Sequence, residues 1–221
     1  MKNEDLQKLK AKLPTVPGIL RKYEYFNSAV LIPLILINGE YNFLFEKRAS
    51  NIRQGGEVCF PGGEFDKIND ATFLDTAIRE TEEEIGVEKS KINIIGALDT
   101  LVGTMGVTVD SFIATLNVSS LEEIVYHQPE VERIFLIPVS FFEKNSPQKY
   151  YLRNVVHPTE KNEDGQEQYS LPVKELHLPD KYLKPWQSRK HKILVYQTNE
   201  EVIWGITAEL VYEVTRLLKL K

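Results

Sequence analysis

The sequence predicts an α+β fold, on three observations. Residues 28–37 form an aliphatic run, Asn38-Gly39 is the strongest short hairpin signal, and residues 41–45 resume the apolar pattern. Leu74, Ile78, Thr81 and Ile85 recur at helical spacing, within about 60° of one another when each residue advances about 100°. Further strand-like runs follow, and Ala208, Val211, Tyr212, Thr215 and Leu218 again keep helical spacing.

Taken in order, residues 3–12 form a short amphipathic helix with Leu6, Leu9 and Leu13 on one side, stopped by Pro14 and Pro17 and expected to pack on the outside of the fold. Residues 28–45 make the β-hairpin. Residues 66–75 are polar and read as a loop into an acidic helix, which Gly86 ends because glycine adopts the left-handed conformation without steric cost. Residues 92–101 and 107–116 are strands joined through Gly103-Thr104-Met105-Gly106. Residues 134–137 give a short strand, and Pro138 opens a helix through Phe142. Residues 148–156 and 192–197 read as strands. Between them, residues 157–191 are polar and hold four of the eleven prolines, so they form a long loop or insertion over a site or a partner surface. Residues 207–218 are the closing helix.

With 221 residues, 42% of them hydrophobic, the chain has enough apolar surface for a proper core, and a single domain over residues 1–221 is expected. The single cysteine, Cys59, excludes an internal disulfide framework, and no Cys/His cluster has zinc spacing. A net charge of −5 argues against a general electrostatic grip on nucleic acid or an anionic membrane. Residues 1–12 carry no apolar signal-peptide core, and the apolar run at 29–37 contains Pro33 and falls short of the roughly 20 residues that span a bilayer. The C-terminal Leu218-Lys219-Leu220-Lys221 is not a peroxisomal address. A cytoplasmic location is the expectation.

Four carboxylates, Glu80, Glu82, Glu83 and Glu84, crowd into five positions. Helical geometry places Glu80, Glu83 and Glu84 within about 100° of each other, away from the apolar stripe, and sends Glu82 elsewhere. Glu80 and Glu84 are like charges one turn apart, which is unfavourable in an isolated helix. Residues 80–88 hold no Lys or Arg, and Arg79 is the only adjacent cation. Two readings follow, a solvated acidic face and a site for a divalent metal. The turn Phe60-Pro61-Gly62-Gly63 favours the metal, since its backbone can approach a ligand without side-chain obstruction. Placed over the carboxylates, it would complete a pocket for a metal-bound diphosphate. Arg48 and Arg53 just upstream are suited to phosphate because guanidinium offers paired donors; otherwise they are surface arginines. Cys59 reads as a small buried apolar residue rather than a nucleophile. Glu130 and Glu132 are equally an added metal ligand or a solvated acidic turn.

These residues also carry a resemblance. Gly63 followed by Arg79-Glu80-x-x-Glu83-Glu84-x-Gly86-Val87 resembles the Nudix box of hydrolases of nucleoside diphosphate derivatives. Arg48-Ala49-x-x-x-Arg53 with Gly56-x-x-x-Phe60-Pro61-Gly62-Gly63 resembles the upstream signature of the coenzyme A diphosphatase branch. Similarity continues through residues 29–34, 130–138 and 203–208. The Arg53 to Gly56 spacing is one residue shorter than in that branch, and the Gly63 to Arg79 gap is two longer than in the common box. The glutamate usual in that gap has no counterpart among Asn69, Asp70 and Ala71.

The resemblance implies a mixed β-sheet sandwiched between helices, an α/β/α Nudix fold. It implies Mg2+ or Mn2+ on Glu80 and Glu84, with the Gly63 carbonyl as a further ligand and Glu83 as an added ligand or the group that activates water. Arg79 would orient a glutamate, completing a catalytic set of Glu83, Glu80 and Arg79. Arg48, Arg53 and Gly62 would bind substrate, a small molecule such as coenzyme A, split into 4′-phosphopantetheine and adenosine 3′,5′-bisphosphate. No membrane or nucleic-acid partner is expected, and the oligomeric state stays open, a homodimer among the options. The same chemistry on ADP-ribose, a dinucleotide or a capped RNA end is an alternative. So is a non-hydrolysing nucleotide-binding module that regulates a partner, although such modules tend to lose the glutamates that are complete here.

Overall fold

The hairpin at Asn38-Gly39 forms, with both residues at positive φ (51° and 82°), as a tight two-residue turn between twisted strands requires. It joins β1 (Phe26–Ile37) to β2 (Glu40–Arg48), which pair antiparallel from Ile37 opposite Glu40 to Leu34 opposite Phe43. Beyond that point the two strands part. The gap is filled by β3 (Val58–Cys59), which pairs with β2, and β4 (Gly62–Glu64), which pairs with β1. The Phe60-Pro61 turn is therefore lodged inside the sheet, and the Leu31 N–H donates to the Pro61 carbonyl at 3.0 Å. β5 (Ile92–Ala97) and β6 (Leu101–Val102) pair antiparallel with β7 (Val107–Leu116), which lies parallel to β1, while β8 (Val131–Pro138) pairs antiparallel with β2. The computed structural model describes residues 1–187 and 189–220; Ser188, within the 157–191 segment, and Lys221, in the C-terminal motif, lie outside the described residues.

Helices cover both faces of this mixed sheet, which is the expected α/β/α arrangement. On one face α2 (Phe73–Ile85) packs Ala77 and Ile85 against Ala29, Leu31 and Leu44. The predicted stripe holds, with Ile78, Thr81 and Ile85 buried and Leu74 half-buried. The helix begins inside the span read as loop. Thr72 accepts from the Asp75 N–H at 3.2 Å and Asp75 accepts from the Thr72 N–H at 2.9 Å, a reciprocal cap that satisfies otherwise orphaned donors. Gly86, at φ 66°, ends it as expected.

The other face carries an aromatic core. Phe60 is 2% exposed and stacks on Phe45 with ring centroids 4.9 Å apart, and Phe45 stacks in turn on Phe135 at 5.6 Å. Burying a side chain of this size stabilises by about 1.5–3 kcal/mol, and here it anchors the turn. α3 (Val139–Lys144) and α4 (Gly205–Leu218) close this side through Phe142, Ala208 and Val211. The Thr207 hydroxyl donates to the Val58 carbonyl at 3.0 Å, fastening the start of α4 to β3.

Four expectations need correction. The strand expected over 92–101 bulges at Ile95 and is interrupted at residues 98–100, after which Leu101 pairs separately. The strand expected over 148–156 breaks at Arg153-Asn154 into β9 (Gln148–Leu152) and β10 (Val155–Val156). The 157–191 segment is not one loop. It holds a hairpin of β11 (Thr159–Lys161) and β12 (Glu167–Tyr169), then β13 (Trp186–Gln187), which returns to pair with β10. Last, α1 (Asn3–Lys12) buries nothing, and Leu6 and Leu9 stay 45% and 48% exposed. The chain then closes through β14 (His191–Gln197), paired with both β9 and β15 (Val202–Trp204). No helix among the described residues is long and apolar enough to cross a membrane.

A Cβ on Gly62 would lie 2.3 Å from the Ala29 carbonyl oxygen and 2.7 Å from the Val30 Cα, both backbone atoms that cannot yield alone. Gly62→Ala is expected to lower unfolding free energy by about 1–3 kcal/mol in urea titrations. Gly96→Ala, with open space around its Cβ, is the matched control and should change stability by less than about 0.5 kcal/mol.

Candidate active site

The turn and the acidic helix meet through two glutamates. The Gly62 N–H donates to Glu84 Oε2 at 2.8 Å, and Glu84 is only 3% exposed. At Gly63 an added Cβ would fall 2.4 Å from Glu80 Oε1, so the missing side chain makes room for that carboxylate. Glu83 stands further out, its side chain 57% exposed. Glu82 points elsewhere, as helical geometry requires, and accepts from the Lys89 N–H at 2.6 Å. The three glutamates on one face are thus unequal. Glu84 is buried under the turn, Glu80 lies beside it, and Glu83 faces solvent.

Arg79 organises the outer part of this group. Its Nη1 donates to Glu80 at 2.7 Å and to Glu83 at 3.1 Å. Its Nε and Nη2 make a bidentate contact with Asp70 at 3.1 and 3.0 Å. Asp70 also accepts from the Thr76 hydroxyl at 2.8 Å and the Asp66 N–H at 3.1 Å. Arg79's hydrogen bonds, ahead of those from Thr76 and Asp66, hold the Asp70 carboxyl down to about 2. The gap that resembled a box without its carboxylate therefore supplies one, at Asp70. Its loop position, before the helix cap, concealed it from a reading by helical spacing.

The inner part is short of positive charge. Glu46, on β2, is 1% exposed. One of its oxygens accepts from the Cys59 thiol at 3.1 Å, and the other, Oε2, has no hydrogen-bond partner. Arg48 lies 3.6 Å from Glu84, too far for a good hydrogen bond, and gives its Nε–H to the Arg53 carbonyl at 3.3 Å. Burial first, and then Glu46's negative charge, push the Glu84 carboxyl well above its ordinary value; burial does the same to Glu46. Burial also raises Glu80, against the opposing pull of Arg79. The Cys59 thiol is pushed up by burial and by Glu46, consistent with an inert cysteine. Glu132 is engaged by Lys47 at 3.3 Å, whereas Glu130 stays close enough for its charge to raise Glu80 and Glu46.

Beside the turn opens a cleft of about 450 Å3, lined among others by Arg48, Arg53, Gly62 and Gly63. All three residues expected to bind substrate thus face one space. Arg53 also lies over the Phe26 ring, 5.6 Å from its centroid, and Trp204 also lines the cleft. Sequence periodicity gave no signal for Phe26, Trp204 or Glu46 as site residues, since each belongs to a strand far from the acidic helix in sequence.

Among the described residues no three His, Cys, Asp or Glu side chains stand as a ready group of metal ligands. Glu83 is drawn to Arg79, and Glu84 to the Gly62 N–H. The donor set nevertheless fits a hard divalent cation. It offers carboxylate oxygens at Glu80 and Glu84, a nearby unpartnered buried oxygen on Glu46, and too few cations to ionise them together.

The NUDIX domain family matches residues 26–194, a span that holds both arginines, the turn and α2. Nudix hydrolase 3 of Caenorhabditis elegans is 40% identical over 120 residues, covering 51% of this chain and 48% of that protein. The mitochondrial coenzyme A diphosphatase NUDT8 of Mus musculus is 31% identical over 148 residues, 66% of each chain. The peroxisomal coenzyme A diphosphatase NUDT7 of Mus musculus is 30% identical over 141 residues, 61% of this chain and 56% of that one. The chain spans from 48% to 66% of the length of these relatives.

Gly63→Ala meets only the mobile end of Glu80, so the variant should stay folded by circular dichroism while losing activity about tenfold or more through displacement of that carboxylate. Asp70→Asn should cost about 1–3 kcal/mol in urea unfolding, because Arg79 loses its charged partner. Glu84 and Glu46 bind protons more tightly in the folded chain, so their contribution to stability is present below the ordinary carboxylate value of 4.5 and is lost as pH rises above it. Mn2+ relieves the buried negative charge, and its increase in Tm should be larger near about pH 9 than near about pH 6. An equal shift at both values in scanning fluorimetry would contradict this.

Proposed function

The chain belongs to the NUDIX domain family, and we propose that it is a metal-dependent diphosphatase acting on coenzyme A or its derivatives. The observation that carries this reading is the placement of Glu80 and Glu84 under Gly62-Gly63, at a cleft that also holds Arg48 and Arg53. The narrower choice of coenzyme A is supported by the arginine signature before the turn and by the names of two relatives near 30% identity.

In this mechanism Arg48 and Arg53 hold the diphosphate through paired N–H donors, and the side-chain-free turn lets the phosphates come close. Glu80, Glu84, Glu83 and the Gly63 carbonyl would hold Mg2+ or Mn2+. When bound, the ion supplies an acidified water and neutralises charge on the phosphoryl oxygens. Glu83, the most exposed of the three glutamates, takes the proton of the attacking water, while Arg79 keeps Glu80 and Glu83 in fixed relation. The water oxygen bonds to one phosphorus as the bridging P–O bond breaks, giving 4′-phosphopantetheine and adenosine 3′,5′-bisphosphate. The cytoplasm is the proposed location; mitochondrial and peroxisomal appear in the names of the two relatives, so cell fractionation is the direct test.

A second reading keeps the chemistry and changes the substrate to ADP-ribose, a dinucleotide or a capped RNA end. It is compatible with the 40% identical relative, whose name carries no substrate. Hydrolysis of coenzyme A, ADP-ribose and NADH with Mg2+ or Mn2+, with products identified by mass spectrometry, decides between them. Coenzyme A should be cleaved fastest, and no turnover of any diphosphate would leave a nucleotide-binding module instead. With the preferred substrate, Glu80→Gln and Glu84→Gln should each lower kcat about 100-fold or more. Glu82→Gln keeps an acceptor for the Lys89 N–H and should stay within about twofold of the parent.

A further inference from the structure

Alternate side chains of β2 point to the face that α2 covers. Leu44 does so, in the apolar cluster that holds Ala77 and Ile85. Glu46 follows on the same face, and Arg48 after it stands 3.6 Å from Glu84. The strand thus lays an apolar residue, a carboxylate and a guanidinium along the underside of the acidic helix. Cys59 is paired with Glu46 across β2 and β3, and directly paired residues project to the same face. Its thiol donates to Glu46 Oε1 at 3.1 Å, and Cys59 also lines the cleft beside the turn. Glu46 therefore lies one side chain behind the cleft wall, at the buried end of the acidic group.

A carboxylate in this place is costly. Glu46 is 1% exposed, a thiol is a weak donor, and Oε2 has no partner among the described residues. A buried ionisable group so poorly satisfied destabilises a fold. Packing gives no reason for it, since Leu44 shows an apolar side chain accommodated on the same face of the same strand. The surrounding charges do give one. After burial itself, the charge of Glu46 acts on Glu84 more strongly than those of Glu80 and Arg48. Arg48 is the cation that acts on both carboxylates, whereas Arg79 gives its donors to Asp70, Glu80 and Glu83. Two buried carboxylates in this relation repel each other and together attract a divalent cation. Glu46 also lies outside both motifs that carry the family resemblance, ahead of the first arginine of the upstream one.

We propose that Glu46 is a further residue of the metal centre, a buried carboxylate behind Glu84 that adds its negative charge to the hold on the divalent cation. This rests on the reading of Glu80 and Glu84 as metal ligands. Glu46 is a positioning residue, acting on the ion through Glu84, and the reacting atoms stay with Glu80, Glu83 and Glu84.

Calorimetric titration of the whole chain with Mn2+, in the absence of substrate, tests this without turnover. Glu46→Gln removes the charge, keeps the shape of the side chain and should weaken Mn2+ binding about tenfold or more. Glu46→Asp keeps the charge and should recover most of that loss. Glu175→Gln removes an exposed glutamate of the 157–191 segment and should stay within about twofold of the parent, which controls for net charge. Circular dichroism and urea unfolding check that each variant is folded. Unchanged affinity in Glu46→Gln overturns the inference, and so does an equal loss in Glu46→Asp and Glu46→Gln, the mark of a packing defect. Should Glu46→Gln fail to fold, Cys59→Ala decides. It removes the donor on Oε1, so Mn2+ binding should tighten about threefold or more, and unchanged or weaker binding overturns the inference. A parent chain that binds no Mn2+ takes down the metal-dependent reading as well, a result distinct from a parent and a Glu46→Gln variant that bind it equally.

Discussion

Two strands that pair for only part of their length leave backbone donors and acceptors that must be satisfied elsewhere. β1 and β2 part beyond Leu34 and Phe43, and the groups they leave are met by β3 and β4. A loop that would ordinarily lie on the surface is thereby drawn into the middle of the sheet. Phe60 locks it from one face, and Glu84 accepts its Gly62 N–H on the other. The position of the cleft, the burial of Glu84 and the reach of Arg48 all follow from that insertion. Without it the acidic helix would be an ordinary charged surface.

The electrostatics divide along the same line. On the outer side a single guanidinium makes close, direct contacts with Asp70, Glu80 and Glu83. On the inner side Glu84 and Glu46 share only the distant help of Arg48. Low-dielectric surroundings make that deficit expensive, and a hard cation is the chemistry that removes it. One helix thus presents carboxylates bound directly by Arg79 and, under the turn, a buried carboxylate, Glu84, that has no such contact.

Features that depend on local periodicity were legible in the sequence. Asn38-Gly39 specified its hairpin, the stripe from Leu74 to Ile85 specified the buried face of α2, and Glu82 fell outside the acidic group as its angle required. Features that depend on distant partners were not. Asp70 finds Arg79 only because the preceding loop folds back through Thr76 and Asp66. Glu46 resembles any charged residue in a strand until Cys59 is brought alongside. β10 and β13 are two residues each, and their pairing lies across most of the 157–191 segment, so no run of alternation marks them. The leucines of α1 illustrate the converse, a helical pattern with nothing opposite to cover it.

The Thr207 to Val58 hydrogen bond links residues 149 positions apart, and with it the part of the cleft lining at the start of α4 is fastened to the strand that leads into the turn. During synthesis the turn and the acidic helix emerge long before that part of the lining exists. A nascent chain therefore carries the acidic carboxylates before the cleft beside them is complete. The cleft is completed as a late step in assembly, set by loop closure over a long stretch of chain rather than by formation of the helix itself.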